Sequence, residues 1–429
     1  MNLDRKSFLR SLGVGALGTL ALPKLLAERV DFAPAALPAY DAGSDAAYWR
    51  AVRAQYPLEA SLHYMNTGGL GPAANPVLKT FTATMLAHQV ISDTGHDSFH
   101  AARHTVADFF AVEPTEICFT RNATEGNSII AAGLALGEGD EVIFEDHAHP
   151  GGSFPWYNQH QRRGVVVKLF TPDPTSVEGN LQRVRALLTP RTKVIQISHV
   201  TAPTGILLPA AEIAKIAREH GLWFHIDGAQ SAGMFPFRLR DLGCDSFATS
   251  GHKWLGAPHE TGLLFIAKER NDEVAPVCIG AYSGELPFLP GTLHYANDAM
   301  RHEYGTRSAA AVASVAAAVE FHRAVGRERI ARHGRELAVQ LHEGLAKIPS
   351  VEVLTPVRPE LRGSITTFRT PRIGYSELFG KLWAAPHHFR CRPVSEQKLD
   401  ATRVSTHLFN SDEEVESLIA AVSDVVRHA

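Results

Sequence analysis

The chain has 429 residues, of which 45% are apolar and 20% are charged, which is typical of a globular protein with one large and one smaller domain. Its formal net charge of −3 provides no basic surplus for phosphate backbones, so a nucleic-acid partner is disfavoured. The four cysteines are widely spaced and form no CxxC pair, so the sequence indicates neither a disulfide framework nor a structural zinc site.

Residues 1–35 are predicted to form an export signal and linker. A basic stretch at 4–10 precedes a mostly apolar run at 11–27, which is too short and too weakly apolar for a membrane span. The stretch DRKSFLR resembles a twin-arginine signal in which Lys6 replaces the second arginine. We therefore expect the twin-arginine export machinery to deliver the folded protein to the periplasm. The alternative is an amphipathic N-terminal helix on a cytoplasmic protein.

From about residue 75 to 295, short β-branched runs alternate with segments of helical spacing. Strands are predicted at 141–144, 165–169, 193–198, 222–226 and 262–266. This alternation indicates βα units and a mainly parallel sheet. Ligands of such sheets bind beyond the carboxyl ends of the strands.

The sequence pattern changes at residue 308, where an Ala-rich helix begins. A second long helix follows, and a mixed α/β segment ends in a further helix that starts at residue 412. The predicted organisation after the signal is an N-terminal active-site segment at 45–75, a large domain at 76–300 and a small C-terminal domain at 308–429.

Two neighbouring motifs carry the chemistry. An apolar strand ends in Asp227-Gly228-Ala229, which places a carboxylate where a ligand would bind. A buried carboxylate needs a cationic partner, and a protonated pyridine nitrogen is one. Lys253 follows 26 residues later among Ser and Gly, and it can supply the amine for a Schiff base. Alone, Asp227 would be typical of a turn and Lys253 of a solvated surface; together they indicate a site for pyridoxal 5'-phosphate (PLP).

These motifs resemble the class V aminotransferase family of fold-type I PLP enzymes, which includes cysteine desulfurases and isopenicillin N epimerase. The resemblance covers nearly all of the chain after the signal. It implies an α/β fold, in which a large PLP-binding domain with a mainly parallel central sheet is joined to a smaller C-terminal α/β domain. The segments SHVTAPTG (198–205), GHKWLG (251–256) and RVSTHLFN (403–410) are similar to the isopenicillin N epimerase-like branch.

The resemblance also implies a role for each matching residue. Lys253 would hold the cofactor, Asp227 would pair with its ring nitrogen, and His147 would stack on its ring. The other implied cofactor contacts are Ala123, Thr124, Ser250 and His252 at the phosphate, Gln230 at the phenolic oxygen, and His199 at the ring. Thr306 would reach the phosphate from the other subunit of a homodimer with shared active sites.

The substrate contacts implied by the resemblance lie at both ends of the chain. Asn66 belongs to a loop that lines the active site. Arg403 would grip the α-carboxylate of a small amino substrate, with Arg390 or Arg392 assisting. His147 and His149 could instead form a metal-binding pair, but no third ligand accompanies them, so we expect no metal.

Several reactions share these residues, and the sequence does not separate transamination, epimerisation and elimination. We expect an exported enzyme that acts at the α-carbon of an amino acid or of an amino-acid-containing metabolite such as a siderophore. A PLP-dependent lyase or desulfurase and a non-catalytic PLP-fold protein are the alternatives. A desulfurase needs an accessible thiolate in the C-terminal domain, whereas strand alternation predicts that Cys391, the only cysteine there, faces the core.

Overall fold

The computed structural model describes residues 36–429, so the predicted signal and linker at 1–35 lie outside the described residues. The strands are β1 (Leu62–Tyr64), β2 (Ile117–Thr120), β3 (Glu141–Glu145), β4 (Val166–Phe170), β5 (Thr192–Ser198), β6 (Trp223–Asp227), β7 (Ser246–Ser250), β8 (Gly262–Ile266), β9 (Gly284–Glu285), β10 (His294–Tyr295), β11 (Glu352–Val353), β12 (Ile365–Arg369), β13 (His388–Arg390), β14 (Arg392–Val394) and β15 (Ala401–Ser405). The helices are α1 (Asp45–Arg53), α2 (Asn75–Ile91), α3 (Ser98–Phe110), α4 (Ala123–Gly133), α5 (Pro150–Arg163), α6 (Val177–Leu187), α7 (Ala210–Glu219), α8 (Leu239–Leu242), α9 (Ala309–Val325), α10 (Arg327–Ala346), α11 (Tyr375–Ala384) and α12 (Asp412–Arg427).

A seven-stranded sheet forms the centre of the large domain, in the order β2-β8-β7-β6-β5-β3-β4. The strands from β7 to β4 pair in parallel, whereas β8 is antiparallel to both of its neighbours. Every residue of β3, β6, β7 and β8 is buried, as expected of strands that helices cover on both faces. The structure thus confirms the α/β fold with a mainly parallel sheet.

The directions of the strands bring several of their carboxyl ends together at one edge of the sheet. The carboxyl ends of β2, β3, β5, β6 and β7 lie at the same edge of the sheet, and α4 and α5 begin there, shortly after β2 and β3. This edge is where ligands bind in parallel sheets.

The small domain has its own antiparallel sheet, in the order β11-β12-β15-β14. Leu337, Phe368, Val404 and Leu418 belong to an apolar cluster that joins this sheet to α10 and α12. Strand β1 pairs in parallel with β13. The N-terminal segment predicted at 45–75 is therefore attached to the small domain, and a bridge between Asn66 and Ser405 of β15 adds a second attachment.

Helix α9 packs in the core of the large domain, although the sequence predicts that it opens the small domain. Its buried residues Val312, Val315 and Val319 share one apolar cluster with Phe99 of α3. Helix α10 contributes to this cluster at its start and to the second cluster further along. The chain therefore passes from one core to the other within α10, rather than at residue 308.

Two further features of residues 36–429 concern membrane spans and metal sites. No single helix there is both long and apolar enough to cross a membrane, and only α9 and α10, which meet at a 77° bend, pass that test as a pair. In the same part of the chain, no group of three or more His, Cys, Asp or Glu side chains is placed to hold a metal ion.

Candidate active site

The ligand-binding edge of the large sheet opens onto a cavity of about 230 Å³. Four charged residues line it: Asp227, Lys253, Arg392 and Arg403. A groove on the small domain is larger, at about 810 Å³, but its charged residues are exposed. Because converging, buried charges characterise functional sites better than volume does, we take the smaller cavity as the candidate active site.

Asp227, the last residue of β6, presents its carboxylate to this cavity. Its Oδ1 accepts a hydrogen bond from the Ala229 amide at 3.0 Å, and its Oδ2 accepts one from Asn127 Nδ2 at 3.0 Å. Gly152 makes room for the carboxylate, because a Cβ there would lie 2.7 Å from Oδ2. Both donors are neutral. A buried negative charge therefore faces the cavity, where a protonated pyridine nitrogen can compensate it.

Lys253 lies in the loop after β7 and reaches the same cavity. Burial is the main reason that the pKa of its amine falls from 10.5 to about 8. The Asp227 carboxylate opposes this effect, and the guanidinium groups of Arg403 and Arg392 reinforce it. An appreciable fraction of the amine is therefore uncharged near neutral pH, as a nucleophile or a base requires.

The first turn of α4 forms the other end of the cavity. The amide of Ala123 donates a hydrogen bond to Ser250 Oγ at 3.0 Å, which holds the turn against the end of β7. Thr124 and His252 also line this end, and His252 Nδ1 has no hydrogen-bond partner. Helix amides, hydroxyl groups and an unpaired imidazole nitrogen suit a phosphate group.

The N-terminal loop covers the cavity. Gln230 Nε2 donates a hydrogen bond to the Gly68 carbonyl at 2.8 Å, and Gln230 Oε1 accepts one from Trp254 Nε1 at 2.9 Å, so both ends of this amide are fixed. Gly71 crosses directly over the backbone of Lys253, since a Cβ at Gly71 would lie 1.9 Å from the Lys253 carbonyl oxygen. This close approach explains the glycine in the loop.

His149, rather than the predicted His147, lies in the wall of the cavity. It caps α5, and its Nδ1 accepts a hydrogen bond from the Gly151 amide at 3.0 Å. Burial lowers the pKa of His149 to about 4, so the ring is neutral. His147 instead pairs with Thr204 Oγ1 at 3.0 Å. The prediction for His147 is corrected accordingly, because His149 and not His147 lines the cavity.

His199 is also corrected, because its ring lies outside the cavity. It packs edge-on between Phe235 and Phe237, with centroid distances of 5.5 and 5.3 Å. Burial lowers its pKa to about 4. Its backbone follows β5 directly. No role in cofactor binding follows from this position.

Arg403 on β15 is fully buried, and neutral acceptors hold its guanidinium. Nη1 donates to the Ala202 carbonyl at 2.9 Å, and Nη2 donates to Asn66 Oδ1 at 3.1 Å. Burial lowers the pKa of Arg403 to about 9, while Nε has no partner. A buried cation without a paired carboxylate is suited to bind the carboxylate of a ligand. Asn66 thus acts on the site through Arg403.

Of the two assisting arginines, the structure favours Arg392 over Arg390. Arg390 is exposed and lies over the rings of Phe379 and Trp383. Arg392 lines the cavity and pairs with Glu396. The two arginines differ in position because they belong to different strands. Strand β13, which ends at Arg390, pairs with β1, whereas β14, which begins at Arg392, joins the small-domain sheet.

Thr306 lies outside this cavity. It lines a neighbouring one of about 300 Å³ together with Arg121, His259 and Tyr304. Within a single chain it therefore does not contact the cofactor cavity, and its contribution to a partner's phosphate site stays a prediction.

These residues fit PLP. The Asp227 carboxylate and a buried Lys253 line one cavity, a helix N-terminus with hydroxyl donors lies at one end, and a buried arginine without a paired carboxylate also lines it. The fold and this set of residues define a fold-type I PLP-dependent enzyme. The chain belongs to the Aminotransferase class-V family, which it matches over residues 86–418.

The chain is similar to relatives that are named for different activities. The chain is 30% identical to an isopenicillin N epimerase of Amycolatopsis lactamdurans over 395 residues, which cover 88% of this chain and 98% of the relative. It is also 30% identical to a probable cysteine desulfurase of Halalkalibacterium halodurans over 345 residues, which cover 75% and 80%.

Solved structures agree on the fold. An apo cysteine desulfurase from Thermococcus onnurineus NA1 superposes with a TM-score of 0.81 at 24% identity, covering 88% of this chain and 98% of that one. The cystine C-S lyase C-DES, in complex with cysteine persulfide, gives a TM-score of 0.79 at 26% identity, covering 86% and 99%. These similarities, with the site, confirm PLP as the cofactor and leave the reaction open.

Proposed function

We propose that this enzyme moves a proton at the α-carbon of an amino acid or of an amino-acid-containing metabolite, in a transamination or an epimerisation. One observation carries the proposal: Lys253, Asp227 and Arg403 converge on a cavity whose lining, in the described chain, contains no cysteine. The similarity to proteins named isopenicillin N epimerase supports the same reading.

Each residue has a distinct task in this scheme. Arg403 binds the α-carboxylate and so positions the α-carbon in the cavity. Lys253 takes the α-proton, and an amine with a pKa of about 8 is suited to this step. An epimerisation also needs a second group that delivers a proton to the opposite face of the α-carbon, whereas a transamination does not. When bound, PLP supplies an electron sink for the charge left at the α-carbon, and Asp227 supports it by holding the ring nitrogen protonated.

Arg392 bears on the substrate class. It places a second guanidinium beside Arg403, and part of its charge is offset by Glu396. A cavity with two guanidinium groups favours substrates that carry a carboxylate over uncharged amines.

The desulfurase alternative depends on Cys391. Its side chain is 1% exposed and packs in the small-domain core with Phe368 and Val404, which confirms the predicted inward orientation. Burial raises the pKa of the Cys391 thiol to about 12. Because persulfide transfer needs an accessible thiolate, this thiol is poorly suited to desulfuration. Elimination without a protein thiol, as the lyase relative suggests, is the second candidate.

The proposal can be tested by incubating the enzyme with a panel of amino acids and peptides in D₂O. We expect exchange of the α-proton for deuterium with at least one substrate, detected by NMR. Exchange should be lost in Lys253→Ala and retained in the matched control Cys391→Ala. Sulfide release from L-cysteine in the presence of a thiol reductant, if it disappears in Cys391→Ala, would contradict the proposal.

Export is a further part of the proposal, and it rests on residues 1–35, outside the described part of the chain. An exported enzyme of this kind would act on a secreted metabolite, such as the amino-acid portion of a siderophore. Candidate siderophores therefore belong in the substrate panel.

A further inference from the structure

A chain of buried hydrogen bonds leads from Asp227 away from the cavity. Asn127, four residues into α4, donates from Nδ2 to Asp227 Oδ2 at 3.0 Å and to the Gly151 carbonyl at 3.1 Å. Its Oδ1 lies 2.8 Å from His225 Nε2. Carboxylate and carbonyl oxygens only accept hydrogen bonds, so the amide has one orientation, and His225 Nε2 must donate.

The remaining partners fix His225 in turn. With its proton on Nε2, the neutral ring accepts at Nδ1, which lies 2.7 Å from Ser246 Oγ. Ser246 Oγ also accepts from Trp223 Nε1 at 2.9 Å, and an indole nitrogen can only donate. Every bond in the chain, from Trp223 to Asp227, therefore has a defined direction.

The environment keeps this arrangement neutral. His225, Asn127 and Ser246 are completely buried. Burial lowers the pKa of His225 to about 4, although the nearby Asp227 carboxylate acts in the opposite direction. His225 and Asp227 are two residues apart on β6, so both side chains point to the face of the sheet that α4 covers.

We propose that His225 is a positioning residue of the active site, which acts through Asn127 to hold the Asp227 carboxylate directed at the ring nitrogen of the cofactor. Without the His225 donor, the buried Asn127 Oδ1 loses its partner, so the amide is no longer held from both ends. The hydrogen bond from Asn127 to Asp227 would then be less well positioned, and the ring nitrogen would be less fully protonated. The proposal rests on the pairing of Asp227 with that nitrogen, and it is independent of the reaction at the α-carbon.

The test uses full-length protein loaded with pyridoxal 5'-phosphate that carries ¹⁵N in its ring. The ¹⁵N chemical shift reports directly whether this nitrogen is protonated, and Asp227→Asn provides the reference for a weakened pairing. We expect a protonated nitrogen in the wild type and a shift toward the unprotonated form in His225→Phe and Ser246→Ala. His225→Gln keeps a donor and an acceptor, so it should retain most of the wild-type signal.

His199→Phe is the matched control, because it replaces another buried histidine with a phenylalanine, outside the cavity. It should keep the wild-type ¹⁵N signal. For any substrate that is found, kcat should fall about ten- to hundredfold in His225→Phe, with KM changed less than about threefold. An unchanged ¹⁵N signal in cofactor-loaded His225→Phe would overturn the proposal, as would an equal loss in His199→Phe. If His225→Phe does not fold, the same signal in Ser246→Ala decides.

Discussion

The lowered pKa of Lys253 has a measurable consequence for cofactor loading. Only the uncharged amine attacks the aldehyde of PLP, so the loading rate of the apoenzyme should rise with pH through the pKa of Lys253. A pKa of about 8 in place of 10.5 makes the uncharged amine roughly 300 times more abundant at neutral pH. We therefore expect a midpoint near pH 8 when the rate is followed by the visible absorption of the bound cofactor.

Two variants test the direction in which the neighbouring charges shift the pKa of Lys253. Asp227→Asn removes a charge that raises the pKa of Lys253, so the midpoint should move down. Arg403→Gln removes a charge that lowers it, so the midpoint should move up. Each movement should be about one pH unit or less, because burial is the main cause of the shift. A wild-type midpoint near 10.5, or movements in the same direction, would refute this account of Lys253.

Three further predictions concern the substrate, the dimer and export. Arg403→Gln should lower kcat/KM for a carboxylate substrate by about ten- to hundredfold, whereas the exposed Arg390→Gln should change it less than about twofold; equal losses would argue against a specific role for Arg403. Mixing inactive Lys253→Ala with inactive Thr306→Ala protein should restore some turnover through hybrid dimers, and no recovery despite subunit exchange would count against shared sites. A reporter fused to residues 1–45 should reach the periplasm only when the twin-arginine pathway is intact. A reporter that stays in the cytoplasm would contradict the export signal and favour the alternative, an amphipathic N-terminal helix.

The strands that bind the cofactor were predictable where they are apolar. The predicted strands 193–198 and 222–226 match β5 and β6 to within one residue, and 262–266 matches β8. Strand β7, Ser-Phe-Ala-Thr-Ser, has no such signal because three of its five residues are polar. Its Ser246 is tolerated in the core because Trp223 and His225 satisfy its hydroxyl group. Only the fold supplies these partners.

The site was predictable at its chemical centre and less so around it. Lys253 and Asp227 stand in motifs that the sequence displays, and both line the cavity. The choice between His147 and His149 depends on which residue caps α5, a turn whose geometry the sequence did not specify. The sequence analysis did not predict Asn127, which follows the expected phosphate-binding residues by one helical turn, because its contact with Asp227 forms only once α4 lies against β6.

The most direct test of the account is to locate the residue that carries the cofactor. Protein loaded with pyridoxal 5'-phosphate would be reduced with borohydride, digested and mapped by mass spectrometry. We predict a single modified peptide with the cofactor on Lys253, and no modified peptide from Lys253→Ala. A cofactor adduct on another lysine, or an unchanged amount of adduct in Lys253→Ala, would contradict the assignment on which the proposed reaction depends.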